Sequence, residues 1–405
     1  MLVMQDISCK LEEYKASVTE ALVEVDDTDA ASKALLLRYI NSTESTDRSS
    51  TMRIQAIIDY MYEKINIGNW KEVKPYVRKT ITIASYLKLL AHVKYADDDK
   101  ETVIKQAFKI IDFGILFGCP LDKEPKLLQN CATILNSVNI RRHSEKSNRL
   151  SYFANEEDSK NQLQSSVING IPIEIINCPS MENFYKNYIL AEKPVILDKC
   201  INHWPALQKW ADQNYFIKLA GPRTLSIEIG SKYTDSDWTQ KLITVEEFID
   251  QYVNQNRGRT GYLAQYQLFD QIPELKNDIT EPEYCSFTDS NEPVDIMAWY
   301  GPKGTVSPLH HDPKRNLLTQ VVGEKKIFLL SPKDSENVYP HEHELLNNTA
   351  QVDPRQPDLE KYPMYKNATP YYCMLKPGQM LYIPPKWWHF VESMSISFSV
   401  SFWWE

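Results

Sequence analysis

The chain has 405 residues, 42% of them hydrophobic, with a formal net charge of −9 and a pI near 5.5. It carries no long lysine or arginine block, so the electrostatic footprint of a nucleic-acid binder is missing and no direct nucleic-acid partner is expected. No apolar run reaches the ~18 residues of a membrane span, and the length suggests about two domains.

The opening MLVMQDISCK has too few apolar residues before its aspartate to serve as a secretory signal. The seven cysteines, Cys9, Cys119, Cys131, Cys178, Cys200, Cys285 and Cys373, are scattered and form no CxxC pair. That usage predicts a reducing compartment, nucleus and cytoplasm, and no zinc-finger site.

Residues 1–140 are expected to form helices. In NWKEVKPYVRKTITIASYLKLLAHVKYA, Val73, Val77, Ile81, Tyr86, Leu87 and Leu90 make an approximate stripe. In DDDKETVIKQAFKIIDFGILFG, Val103, Ile104, Ala107, Phe108, Ile111 and Ile115 recur at spacings of three and four. The aspartates before them suit a helix N-terminus, and Gly118 and Pro120 end the segment. No clean repeat of about 34 residues emerges, so a helical bundle that binds a partner or stabilises the rest of the chain is expected. Residues 141–166 are polar, carry mixed charge and predict a linker.

Residues 167–405 have a different grammar. VDIMAWYG, NLLTQVVG, KKIFLLSP, QMLYIPP and SISFSVSFWW are short runs rich in β-branched and aromatic residues, punctuated by Gly, Pro, Asn and Asp. They predict an antiparallel sandwich or barrel, with VVGEKKIFLL as a hairpin turning at Gly323. Helices are expected near PALQKWADQNYFIKLAG and ITVEEFIDQYVN.

SPLHHDP places two of the chain's eight histidines beside an aspartate. In an extended strand His310 and Asp312 project to one face and His311 to the other. KPGQMLYIPPKWWHFV supplies a third candidate ligand, His389, in a segment that is otherwise apolar and aromatic. Two histidines and one carboxylate on one face leave open positions, as in non-haem Fe(II) oxygenases, whereas structural zinc prefers a closed shell. HxD alone is a weak signal, since an Asp before Pro often only forms a turn. Its combination with a lysine-bearing strand and a Pro-Gly-strand-His unit is much more specific. HEHE, His341 to Glu344, is a rival cluster in a polar loop, and His203 is expected to be packed or to cap a helix.

From about Glu174 onward the chain resembles the JmjC-domain oxygenases, through KPVILDKCINHWPALQKW, GYLAQYQLFDQIPELKNDI, AWYGPKGTVSPLHHDPKRNLLTQVVGEKKIFLLSP and SFSVSFWW. The resemblance implies an α+β chain: a helical N-terminal domain followed by a double-stranded β-helix, cupin-like JmjC domain with decorating helices. It implies Fe(II), 2-oxoglutarate and O2, with metal ligands at His310, Asp312 and His389. It assigns the cosubstrate to Lys325, Tyr262, Ser307 and Asn316; the residues alone leave Lys325 and Lys326 open, because strand neighbours face opposite ways. The closest branch has glutamine where this chain has His311.

The same branch implies a substrate pocket lined by Glu228, Gln265, Trp299 and Trp403, with core packing expected for Trp404. A carboxylate, an amide and two indoles suit a guanidinium better than a methylated ammonium. The expected activity is hydroxylation of arginine side chains in basic proteins, histones and chromatin-associated proteins among them, with succinate and CO2 as co-products. Its rivals are methyl-lysine demethylation, cleavage of histone tails, for which no nucleophile–base pair is evident, and a non-catalytic chromatin-protein scaffold. A monomer is expected.

Overall fold

The computed structural model describes residues 2–25, 30–41, 48–95, 99–146, 170–230, 238–255, 258–288, 290–343 and 346–405. No described helix is long and apolar enough to cross a membrane. The chain divides into two compact units, one comprising Met1–Arg149 with Ile217–Leu225 and Asp270–Glu274, the other the remainder.

Among the described residues, the long segment of the first unit forms the helices α1 (Leu2–Glu12), α2 (Lys15–Glu24), α3 (Ala30–Asn41), α4 (Arg48–Asn66), α5 (Pro75–Tyr95), α6 (Lys100–Phe117) and α7 (Leu127–Lys146). Asp99 caps α6, its carboxylate accepting from the Glu101 and Thr102 amides, and this satisfies donors that the first helical turn leaves free. Helix α5 is not striped as expected. It is buried almost all round, at Val77, Thr80 to Leu87, Leu89 to Ala91 and Val93, because α1, α2, α3, α4 and α6 all pack on it. Phe108 is fully buried in the same core, and trimming it to alanine would cost about 3–5 kcal/mol. Helix α7 runs on to Lys146, so the first residues of the expected linker are helical; from 147 the linker lies outside the described residues.

The first unit also contains a buried polar cluster. Arg223 pairs with Asp112 of α6 (Nε–Oδ1 3.0 Å, Nη2–Oδ1 2.7 Å) and donates to the Gln271 carbonyl. The Asp112 carboxylate accepts further from the Thr224 amide (2.6 Å) and the Gln271 side chain (2.8 Å). Asp112 and Arg223 are 0% and 1% exposed, and such charges survive burial only when each is paired.

Among the described residues, the second unit is built from two sheets. Its strands in chain order are β1 (Ile171–Pro172), β2 (Ile175–Asn177), β3 (Val195–Asp198), β4 (Thr224–Ile229, whose first two residues belong to the helical unit), β5 (Thr239–Thr244), β6 (Gly261–Tyr266) and β7 (Asp295–Gly301). There follow β8 (Val306–His310), β9 (Arg315–Val322), β10 (Lys325–Leu330), β11 (Tyr371–Leu375), β12 (Met380–Ile383), β13 (Trp388–Ser393) and β14 (Ser397–Trp404). The smaller sheet runs β1-β11-β10-β13-β8 and the larger β2-β3-β12-β9-β14-β7-β6-β4-β5. From β7 onward the chain passes back and forth between the sheets, the winding of a double-stranded β-helix.

VVGEKKIFLL is therefore not a hairpin. β9 pairs with β12 and β14, whereas β10 pairs with β11 and β13. The turn between them is a crossing from sheet to sheet. Gly323 sits there at φ 71°, and a Cβ would lie 1.9 Å from the Ile396 carbonyl oxygen, so the turn admits only glycine. Apolar residues of both sheets meet in one core, Ile196, Leu318 and Leu381 against Ile327, Leu375 and Val391.

β14 shows how alternation divides the labour. Phe398 and Phe402 pack against Trp210 (4.5 Å between ring centroids) and Trp204 (5.9 Å). Ser399, Ser401 and Trp403 take the opposite face. Trp404 is buried, as core packing requires, and its indole donates to the Phe287 carbonyl.

Candidate metal centre

Three side chains converge between β8 and β13. His310 closes β8 and His389 lies opposite it on β13, with ring centroids 4.1 Å apart. Asp312 lies just beyond the end of β8, so strand alternation is not what aims its side chain. Its position follows from the turn, where its carbonyl accepts from the Lys386 amide (2.8 Å). The three ligand atoms lie within 4.8 Å of one another, and His389 Nε2 is 3.6 Å from Asp312 Oδ2. Among the described residues no other group of this kind occurs; the HEHE rival lies partly outside them, at Glu344.

The imidazoles have defined tautomers. His310 Nδ1 is 2.7 Å from the Pro308 carbonyl and His389 Nδ1 is 3.0 Å from the Trp387 carbonyl. A carbonyl only accepts, so both Nδ1 atoms carry a proton and Nε2 is the atom each ring can offer a metal. Burial, with the neighbouring His310, pushes His389 down to about 4, which keeps it neutral near pH 7. Asp312 Oδ2 is buried and has no hydrogen-bond partner. Two imidazole nitrogens and one carboxylate oxygen that accepts no hydrogen bond fit a ferrous ion and leave positions open for further oxygen ligands.

The cavity beside this triad is lined by Tyr262, Ser307, Asn316, Lys325, Trp299 and Trp403, all singled out by the sequence resemblance. Lys325 is 1% exposed, and its ammonium reaches the Tyr262 hydroxyl at 3.3 Å. Burial alone pulls it down to about 7. Strand alternation separates the two lysines, since Lys326 lies over the Phe328 ring instead (5.2 Å). The Trp299 indole donates to Ser401 (2.9 Å). Asn316 Oδ1 and Trp403 Nε1 are buried without partners on opposed positions of β9 and β14. The cavity thus offers a cation, an acceptor and an indole donor to a bound molecule.

Two expected residues are not brought in. Gln265 is exposed and lies outside the cavity lining; it sits at φ 46°, where the β6–β7 register breaks, and the irregular backbone turns it outward. Glu228 does not line the cavity but stands opposite Tyr262 on β4. Burial raises its carboxyl, and it accepts from the Trp238 indole (3.2 Å). His311 does turn away from the triad, but it is not a solvated group. Its ring meets Trp388 edge-on at 4.7 Å, and burial lowers its pKa. His203 is exposed and bonds Thr280 (3.1 Å), so it is not packed.

Leu318, Val391 and Ser401 also line the cavity. Each is two residues from a singled-out position on the same strand, Asn316, His389 and Trp403, so a consistent use of alternation would have found them. Trp238 carried no such signal.

A family model described as a cupin-like domain matches residues 181–405. Lysine-specific demethylase 8 of Danio rerio is 41% identical over 88% of this chain and 87% of its own length. Jumonji C domain-containing protein 5 of Drosophila melanogaster is 39% identical over 87% of this chain and 86% of its own. More distant is the human bifunctional peptidase and (3S)-lysyl hydroxylase JMJD7, 27% identical over 56% of this chain and 82% of its own. The chain belongs to the JmjC oxygenases, in the branch of these first two relatives, and that family works with Fe(II), 2-oxoglutarate and O2.

Proposed function

We propose that this JmjC oxygenase hydroxylates arginine side chains of protein substrates, holding Fe(II) through His310, Asp312 and His389. Iron, 2-oxoglutarate and O2 together supply the oxidant that inserts oxygen into a C–H bond, leaving succinate and CO2. The protein's part is to position that bond and keep water away. Lys325, with Tyr262 and Ser307 beside it, is the counter-charge for the distal carboxylate of 2-oxoglutarate. A buried ammonium with no carboxylate acting on it is stabilised by such an anion. Asn316 holds the metal-side end.

The choice of arginine rests on Glu228, which is outside the cavity lining but stands on the neighbouring strand opposite Tyr262 of that lining. It is a half-buried carboxylate that accepts from the Trp238 indole, with no cation beside it among the described residues. A guanidinium would give it a two-pronged partner, while the planes of Trp299 and Trp403 accept the cation by stacking. A trimethylated ammonium would leave the carboxylate without hydrogen-bond donors. Gln265 is not part of this reading.

The test is mass spectrometry of arginine, lysine and methyl-lysine peptides after turnover. Gain of one oxygen on arginine is the expected result. Oxygen on lysine, or formaldehyde from methyl-lysine, would move this chain toward the activities in its relatives' names and end the arginine reading. Anaerobic titration with Fe(II) and 2-oxoglutarate separately tests the metal assignment.

A further inference from the structure

At the far edge of the larger sheet, β12 and β3 separate β9 from β2, and two cysteines end the β2–β3 pair. Cys178 follows β2 and is exposed; Cys200 lies two residues past β3 and is half-buried. The Asp198 carbonyl gathers both, accepting from the Cys178 amide (2.9 Å) and the Cys200 thiol (3.6 Å). The Tyr284 hydroxyl lies 4.0 Å from the Cys178 sulfur and 3.9 Å from the Cys200 sulfur.

Tyr284 is itself fixed. Its hydroxyl donates to the Pro179 carbonyl (2.7 Å), and its ring packs on Phe184 with centroids 4.8 Å apart. The two residues around which the chain turns, Cys178 and Lys199, both sit at positive φ, 29° and 65°. Non-glycine residues hold that conformation only where the surroundings impose it. Two thiols are thus held beside one hydroxyl on a rigid platform, one of them open to solvent.

We propose that Cys178 and Cys200 are a reversible dithiol that a hydroperoxide closes to a disulfide. Cys178 reacts first because it is exposed, whereas burial pushes the Cys200 thiol up to about 12 and keeps it protonated. The Cys178 thiolate attacks the O–O bond; an S–O bond forms and the alcohol or water departs. The Cys200 sulfur then displaces hydroxide from the Cys178 sulfenic acid, its proton leaving with that hydroxide as water. Overall, two thiols and one hydroperoxide give one disulfide, one alcohol (or water) and one water. Tyr284 keeps its bond to Pro179 throughout, so the platform survives the change. This proposal is independent of the oxygenase substrate.

The test is hydroperoxide treatment of the prereduced full chain, followed by non-reducing peptide mapping. The expected product has lost two hydrogens, joins the Cys178 and Cys200 peptides, and reverts with dithiothreitol. Cys200→Ser should stop at a sulfenic acid on Cys178 that dimedone traps, and Cys178→Ser should form no link. The mapping is made on the wild-type chain, so it does not depend on either variant folding. Accumulation of sulfenic or sulfinic acid on Cys178 with no link to Cys200, or a link from Cys178 to another cysteine, would overturn the proposal.

Discussion

Two buried polar clusters in this molecule are built from the same kinds of group and end in opposite states. Around Asp112 the carboxylate is closed: it receives Arg223, the Thr224 amide and the Gln271 side chain, and in the ion pair only Arg223 Nη1 is left without a partner. Around Asp312 the cluster stays open: Asp312 Oδ2, Asn316 Oδ1 and Trp403 Nε1 have no partners, and Lys325 is buried without a counter-charge acting on it. A carboxylate whose acceptors are taken up by its own chain stabilises the fold and has little left to offer a ligand. An open one carries desolvation cost that a ligand can relieve, so incompleteness marks the site better than burial does.

Substitutions test this contrast. The largest effect is expected at the open cluster: His310→Ala or Asp312→Ala should reduce succinate formation to background with little change in melting temperature. Wild-type turnover in either variant would remove the ligand assignment. At the closed cluster the effect should fall on stability. Asp112→Ala strands a buried guanidinium and should cost about 3–5 kcal/mol in denaturant unfolding, while the folded fraction keeps its turnover rate. Activity lost in step with Asp112, at unchanged stability, would mean that the two clusters do not divide the work in this way.

Lys325 gives a smaller, graded test. It is lowered to about 7 when free, and a bound carboxylate would raise it again. Above pH 7 binding of 2-oxoglutarate must therefore take up a proton. Affinity should hold below that pH and weaken by up to about tenfold per unit above it, as read by calorimetry. Lys325→Met should weaken binding and flatten the profile. The smallest effect is expected at His311→Gln, which gives up the edge-on contact with Trp388, worth about 0.5–1.5 kcal/mol of stability. Succinate formation should continue at a similar rate.

How much of this was readable beforehand depended on whether local periodicity carried the information. His310, Asp312 and His389 stood out because polar residues in apolar, aromatic strands are conspicuous, even though Asp312 is aimed by a turn and not by the strand. Gly323 announced a turn but not its destination, since pairing partners are decided by distant strands. Asp112 gave no sign of its role. It reads as an ordinary polar residue in an amphipathic helix, and its partners arrive more than a hundred positions later. Gln265, expected in the substrate pocket from the family resemblance, is exposed outside the cavity lining, at a register break that strand alternation does not describe.

The Gly323 crossing acts as a ruler between Asn316 and Lys325. Backbone meets backbone at this turn, leaving no slack to absorb a change in length. One inserted residue would rotate the following strand by half its repeat, so that Lys326 faced inward and Lys325 went to the surface. Composition and charge type would be almost unaltered, yet the inward ammonium would be offset by one strand position.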